Sequence, residues 1–114
     1  MGTSATNGEG PAAPVESDLK VVNRMGIHAR PATRIVELTN TFKSRIHFVK
    51  DGEEVDGKSI FGVMCLAATQ GTVLKVRAWG EDARDLLAAL DALFRSGFGE
   101  MGPEGAAGAP EARG

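Results

Sequence analysis

Between residues 18 and 98 the apolar positions recur in two rhythms, and each change of rhythm marks a structural element. "LKVVNR" (19–24) is a short β-prone run, followed by a loop over Met25 to Ile27. Ala32, Ile35, Val36 and Thr39 then fall at i, i+3, i+4 and i+7, which predicts a helix with one buried face. "RIHFVK" (45–50) alternates, with Ile46 and Phe48 facing one way and His47 and Val49 the other. The "DGEE" that follows supplies turn chemistry before Val55, so a hairpin is predicted. "GKSIFGVMCLAA" (57–68) opens on a breaker and a serine suited to N-capping, then turns apolar over the length of a short helix.

"TVLKVRAW" (72–79) alternates again, Leu74, Val76 and Ala78 against Lys75, Arg77 and Trp79, and reads as the fourth strand. The last element, "EDARDLLAALDALFRS" (81–96), has acids in its first turn, a stripe of Leu86, Leu90, Leu93 and Phe94, Arg95 near its end and Gly97 as a stop. The order βαββαβα predicts an α+β open-faced β-sandwich, a four-stranded antiparallel sheet with three helices on one face. Residues 1–17 and 99–114 are rich in Gly, Ala, Pro, Ser and Glu without apolar periodicity, and are expected to be disordered tails around a domain at 18–98.

Composition narrows the function classes. At 114 residues, 42% of them apolar, the chain can build one modest core. A formal net charge of −2, with no Lys/Arg cluster, argues against nucleic-acid and membrane-surface binding. The single cysteine, Cys65, excludes an internal disulfide framework, and no Cys/His grouping has zinc-ligand spacing. "MGTSATNGEG" lacks the positive flank and apolar run of an export signal, and its match to the short myristoylation pattern at Gly2 and Thr6 is read as incidental. A soluble cytoplasmic monomer without membrane insertion, metal or cofactor is expected.

The candidate chemistry sits in "MGIHARPATRIVEL" (25–38). Pro31 belongs in a first helical turn, so the first helix begins beside His28, and Gly26 permits an unusual backbone approach. Free backbone donors and the positive end of the helix attract anions, so a phosphoryl group on His28 could be held by the amides of Ala29 and Arg30. The same field disfavours imidazolium and keeps the ring nucleophilic, while the Arg30 guanidinium can pair with phosphate oxygens. A phosphoryl group on nitrogen suits receipt from one protein and in-line transfer to another. Residue types alone leave a plainer reading open, with His28 as a loop or capping residue and Arg30 as a solvated charge.

"GIHARPAT" (26–33) resembles, as an unbroken run, the active-site signature of the histidine-containing phosphocarrier proteins (HPr) of the bacterial phosphotransferase system. The resemblance covers roughly residues 18–98 and includes "GKSIFGVM" (57–64) and "QGTVLKVRAWGED" (70–82) in the expected order. It implies the same βαββαβα sandwich. It also implies that His28 accepts phosphoenolpyruvate-derived phosphate on Nδ1 from enzyme I and donates it to an enzyme IIA protein or domain, with Arg30 steadying the phosphate in both steps. Ser59 resembles the regulatory serine that an HPr kinase/phosphorylase modifies, where a phosphate would add about −1.5 to −2 charges at a helix start. By residue type alone Ser59 could equally serve only as a cap.

Ile60, Phe61, Val63 and Met64 form a candidate apolar docking patch, with core packing of the second helix as the alternative use. Phe61 stands where serine-regulated members frequently have methionine, and Met25 where sugar-transport members often have a polar residue. "NRMGIHARPA" and "ALFRSGFGE" look more like the nitrogen-related branch (NPr), so the resemblance implies phosphoryl transfer more firmly than sugar transport. The rival reading is a non-catalytic interaction protein, in which phosphorylated Ser59 controls binding to a transcriptional regulator or kinase. His47, Lys75 and Arg77 are expected on a solvated sheet face, Trp79 in packing, and Cys65 buried in its helix.

Overall fold

Residues 13–99 are described by a computed structural model, in which β1 (Val15–Lys20), α1 (Ala29–Thr39), β2 (Arg45–Lys50), β3 (Glu53–Asp56), α2 (Ile60–Cys65), β4 (Val73–Trp79) and α3 (Ala83–Arg95) follow in chain order. A short 3₁₀ turn, Gly97–Gly99, closes the described chain. The strands form one antiparallel sheet in the order β1-β4-β2-β3, so the βαββαβα open-faced sandwich is realised. Apart from residues 13–17 and Gly99, the expected tails lie outside the described residues, as does the pattern at Gly2 and Thr6.

Alternation decides which side of the sheet is covered. Leu74, Val76 and Ala78 of β4, Ile46 and Phe48 of β2 and Leu19 of β1 are buried, and the helices lie over that side. Phe48, Phe94 and Phe98 are the largest fully buried side chains, and the Phe94 and Phe98 rings meet edge to face at 4.8 Å. On the open face Arg77 bonds Glu16 of β1 and Glu54 of β3, Lys75 approaches Glu16 and Asp18, and His47 bonds Glu54. The Arg45 guanidinium sits 5.3 Å from the centre of the half-buried Trp79 ring.

Several expectations need correction. β1 spans 15–20 rather than 19–24, so Val15–Ser17 belong to the sheet and not to the tail expected through residue 17. Ser17, opposite Val76, interrupts what is otherwise an inward apolar set of Val15 and Leu19, and this hid the alternation. Val21 still exchanges hydrogen bonds with the backbone of Gly71 and Thr72, but Asn23 leaves the sheet for a buried turn. In α3, Leu87 is buried and Leu93 only half-buried, because the core-facing stripe runs Ala83, Leu86, Leu87, Leu90 and Phe94. Phe98, the last residue of the expected domain, is a core residue. Gly97 (φ 67°) and Phe98 (φ 60°) both adopt left-handed backbone and fold that ring back onto Phe94.

The two-residue loop Asp51-Gly52 has both φ values positive (52° and 81°), as a tight β2–β3 hairpin with right-handed strand twist requires. The second helix is shorter than the expected 57–68. It stops at Cys65, and Ala67 takes the left-handed conformation with φ 49°. Cys65 is exposed rather than buried, since the six-residue helix turns only Val63 fully inward.

Candidate functional site

Four hydrogen bonds, three of them between backbone groups, build the approach to the first helix. The Gly26 amide donates to the Asn23 carbonyl (3.2 Å), and the Asn23 side-chain amide donates back to the Gly26 carbonyl (2.8 Å). Ile27, itself buried, donates its amide to the Ala68 carbonyl at 2.9 Å, and the His28 amide donates to the Gly26 carbonyl at 3.1 Å. Gly26 is required twice over: its φ is +71°, and a Cβ there would lie 2.5 Å from the Ala68 oxygen. The chain therefore arrives at His28 along a course set mainly by backbone and by one buried asparagine. Asn23, assigned above to the first strand, is the site residue that the sequence reading missed; its position just before a Met-Gly turn was the available signal.

His28 is the N-cap of α1, half-buried, and its side chain makes no capping bond to the helix. Its carbonyl accepts from the Ala32 amide at 2.9 Å, so the helix proper starts with Ala29 and Arg30, both exposed. First-turn amides have no intrahelical acceptor, and Pro31 brings none, so Ala29 and Arg30 supply the donors at this end. Pro31 is buried and anchors the turn from below. With no acidic residue in the first turn, the positive end of α1 is not offset by its own side chains. Arg30 forms no ion pair with a described residue, in contrast to Arg77 and Arg95. Met25, 74% exposed, stands at the rim.

Ser59 is the N-cap of α2 and accepts from the Gly62 amide at 3.1 Å through its hydroxyl. Asn40, at the C-cap of α1, donates to the Lys58 carbonyl, while Lys58 Nζ donates to the Phe42 carbonyl. Thr39 donates to the Gly57 carbonyl from inside the core. The start of α2 is thus fastened to the end of α1, and the turn beyond α2 is fastened to the beginning of α1 through Ala68. Ser59 and His28 accordingly lie toward opposite ends of α1, whose 11 residues span about 16 Å.

Of the candidate docking side chains, Ile60, Phe61 and Met64 are exposed, Phe61 to 83%. Val63 is fully buried and packs in the core, so it cannot meet a partner; at this short helix's spacing it is the one position aimed at the sheet. Among the described residues there is no group of three or more His, Cys, Asp or Glu side chains able to hold a metal, and no helix is long and apolar enough to cross a membrane.

Among the described residues two side-chain carboxyls are shifted, and both are structural. A hydrogen bond with Ser44, followed by the Lys43 amide, holds the Asp82 carboxyl below the ordinary aspartate value. The hydrogen bond with His47 does the same for Glu54.

Comparison with known proteins gives these features a setting. The family model described as "PTS HPr component phosphorylation site" matches residues 15–96. The chain is 44% identical over 86 residues to the phosphocarrier protein HPr of Xylella fastidiosa (strain Temecula1), covering 75% of this chain and 97% of the relative. It is 37% identical over 81 residues to the phosphocarrier protein NPr of Proteus mirabilis, covering 70% and 90% respectively. The crystal structure of HPr-C-His from Thermoanaerobacter tengcongensis superposes with a TM-score of 0.74 at 40% identity, covering 76% of this chain and 98% of that one. A family-model match over residues 15–96, a fold that superposes on that structure and near-complete coverage of such relatives lead to one conclusion: the chain belongs to the HPr family of phosphocarrier proteins, with relatives in its NPr branch.

Proposed function

We propose that this chain carries a phosphoryl group on His28, accepting it from enzyme I and passing it to an enzyme IIA protein or domain in the cytoplasm. The observation that supports this most is the position of His28 at the N-cap of α1, above the amides of Ala29 and Arg30, with the exposed Arg30 beside it. In the accepting step a lone pair on the imidazole nitrogen forms the N–P bond as the bond from phosphorus to the donor's nitrogen breaks in line, and the donor keeps that electron pair. The transferred oxygens gather charge, which the two amides and the guanidinium offset. Passing the group on reverses these roles. The chain forms an intermediate and turns nothing over by itself, so catalysis is shared with its partners.

Ile60, Phe61 and Met64 offer a flexible, exposed apolar surface suited to more than one partner. Phosphorylation of Ser59 by an HPr kinase/phosphorylase would place negative charge at the start of α2, next to that surface. The central test is incubation with enzyme I and labelled phosphoenolpyruvate. An acid-labile, alkali-stable label is expected on wild type and none on His28→Ala; wild type that takes no label would overturn the reading. For Ser59, incubation with ATP and the kinase should give an acid-stable adduct that Ser59→Ala lacks.

A further inference from the structure

We infer that Ala67, held in a left-handed conformation beyond the C-terminus of α2, is a positioning residue for His28, acting through the Ala68 carbonyl on the Ile27 amide. The inference rests on His28 being the phosphoryl acceptor. Leu66 is the C-cap, and its amide and that of Ala67 turn back to the carbonyls of Val63 (3.2 Å) and Met64 (3.1 Å). The position after a C-cap commonly adopts left-handed backbone and is usually glycine, because a Cβ crowds the neighbouring carbonyl there. Here it is Ala67, with φ 49°.

That one reversal swings the chain inward. Ala68 becomes buried, and its carbonyl points at the loop preceding α1. The carbonyl accepts from the Ile27 amide at 2.9 Å, and the Gly26 backbone lies so close that an added Cβ would meet the same oxygen at 2.5 Å and the Thr69 Cα at 2.9 Å. Nothing of this kind can be accommodated by side-chain rearrangement, since both surfaces are backbone. The rest of the turn is held on the segment that follows β1: the Gly71 amide donates to the Val21 carbonyl (2.7 Å), the Val21 amide to the Thr72 carbonyl (2.8 Å), and the Gln70 side-chain amide to the Val22 carbonyl (3.1 Å). The Ala68 carbonyl therefore has a fixed place on one side, and the residue immediately before His28 hangs from it on the other.

A single peptide bond separates this anchor from the chemistry. Ile27 is buried, His28 follows it, and the His28 carbonyl already begins the helical ladder at Ala32. The direction in which the imidazole leaves the backbone is set between these two fixed points. A displacement of the Ala68 carbonyl passes to the ring, and phosphoryl transfer is sensitive to such displacements because the attacking nitrogen must lie in line with the breaking bond.

The test compares wild type with Ala67→Val, Ala67→Gly, Gly26→Ala and, as a control for stability alone, Leu90→Ala in the core of α3. Two quantities are read at a temperature where every variant is folded: hydrogen exchange of the Ile27 amide, and kcat and KM for phosphorylation by enzyme I. Ala67→Val, whose branched side chain opposes positive φ, should speed Ile27 exchange and lower kcat, by up to about a hundredfold for a 1 Å displacement. Ala67→Gly should keep both at wild-type values. Gly26→Ala presses on the same carbonyl from the other side and should reproduce both changes if Ala67→Val fails to fold. Leu90→Ala should melt earlier with kcat unchanged. Wild-type kcat and Ile27 exchange in folded Ala67→Val, or an equal fall of kcat in Leu90→Ala, would overturn the inference. If wild type takes no label at all, the phosphocarrier reading fails; Ile27 exchange in Ala67→Val then decides separately whether Ala67 positions this loop.

Discussion

The first and third helices both begin with a residue whose side chain declines to cap its own helix. In α1 that residue is His28, and in α3 it is Asp82. Asp82 turns its carboxylate away from α3 and accepts from the amides of Lys43 and Ser44, both at 2.9 Å, and from the Ser44 hydroxyl. These contacts, 38 and 39 residues distant in sequence, tie the loop after α1 to the start of α3. His28 stands at the head of α1, before Ala29 and Arg30, and its side chain makes no capping hydrogen bond. One helix mouth fastens the fold; in the function proposed above, the other offers backbone donors and a nucleophile to a partner. The second helix lies between these extremes, since Ser59 does cap its own helix. The lesson is that an N-cap position has no fixed use: what the side chain meets across the fold decides it.

The contrast is broken most severely at His28. His28→Ala should remove all enzyme I-dependent label while the protein still folds, because α1 takes no capping bond from this side chain. Chemical denaturation alongside the labelling assay checks both halves. Asp82→Asn should do the reverse, lowering the melting temperature at pH 7 with phosphorylation by enzyme I preserved.

The pH dependence follows from the lowered Asp82 carboxyl. A group depressed on folding adds stability that is present above its unfolded value, about 3.9, and is lost as pH falls through the folded value. The melting-temperature difference between wild type and Asp82→Asn should therefore be full at neutral pH and close progressively below about pH 4. A difference that persists unchanged at pH 2 would remove the carboxylate from the account.

Smaller effects sharpen the intermediate case. Ser59→Ala should cost about 1 kcal/mol, the usual loss for an N-cap hydroxyl, measured by urea unfolding. Ala67→Gly should stabilise by up to about 1 kcal/mol, since glycine relieves the left-handed conformation that alanine adopts at φ 49° but loses more freedom on folding. A destabilised Ala67→Gly would show that this backbone is not strained.

Much of the architecture was legible because it depends on short-range periodicity. β2 and β4 alternate cleanly, the Asp51-Gly52 dipeptide matches its left-handed turn, and α3 carries both its stripe and its glycine stop. The same logic failed where the local signal was ambiguous. Ala67 and Ala68 are strong helix formers, so local propensity extends the second helix through them, and no glycine marks the reversal. Cys65 looked buried for the same reason: a longer amphipathic helix would have turned it inward.

By itself, then, the amino-acid order determined the number and type of elements, the sides of β2 and β4 that face the helices, and the placing of one histidine at a helix mouth beside an arginine. Those follow from side-chain spacing and backbone chemistry within a few residues. Only the tertiary structure decided that Val63 serves the core while Phe61 faces outward, that Asp82 bonds a distant loop, and that the segment before His28 hangs from the Ala68 carbonyl. Each of these joins residues far apart in the chain, and a hydrogen bond or a packed contact exists only once both partners have been brought within a few ångströms by everything between them.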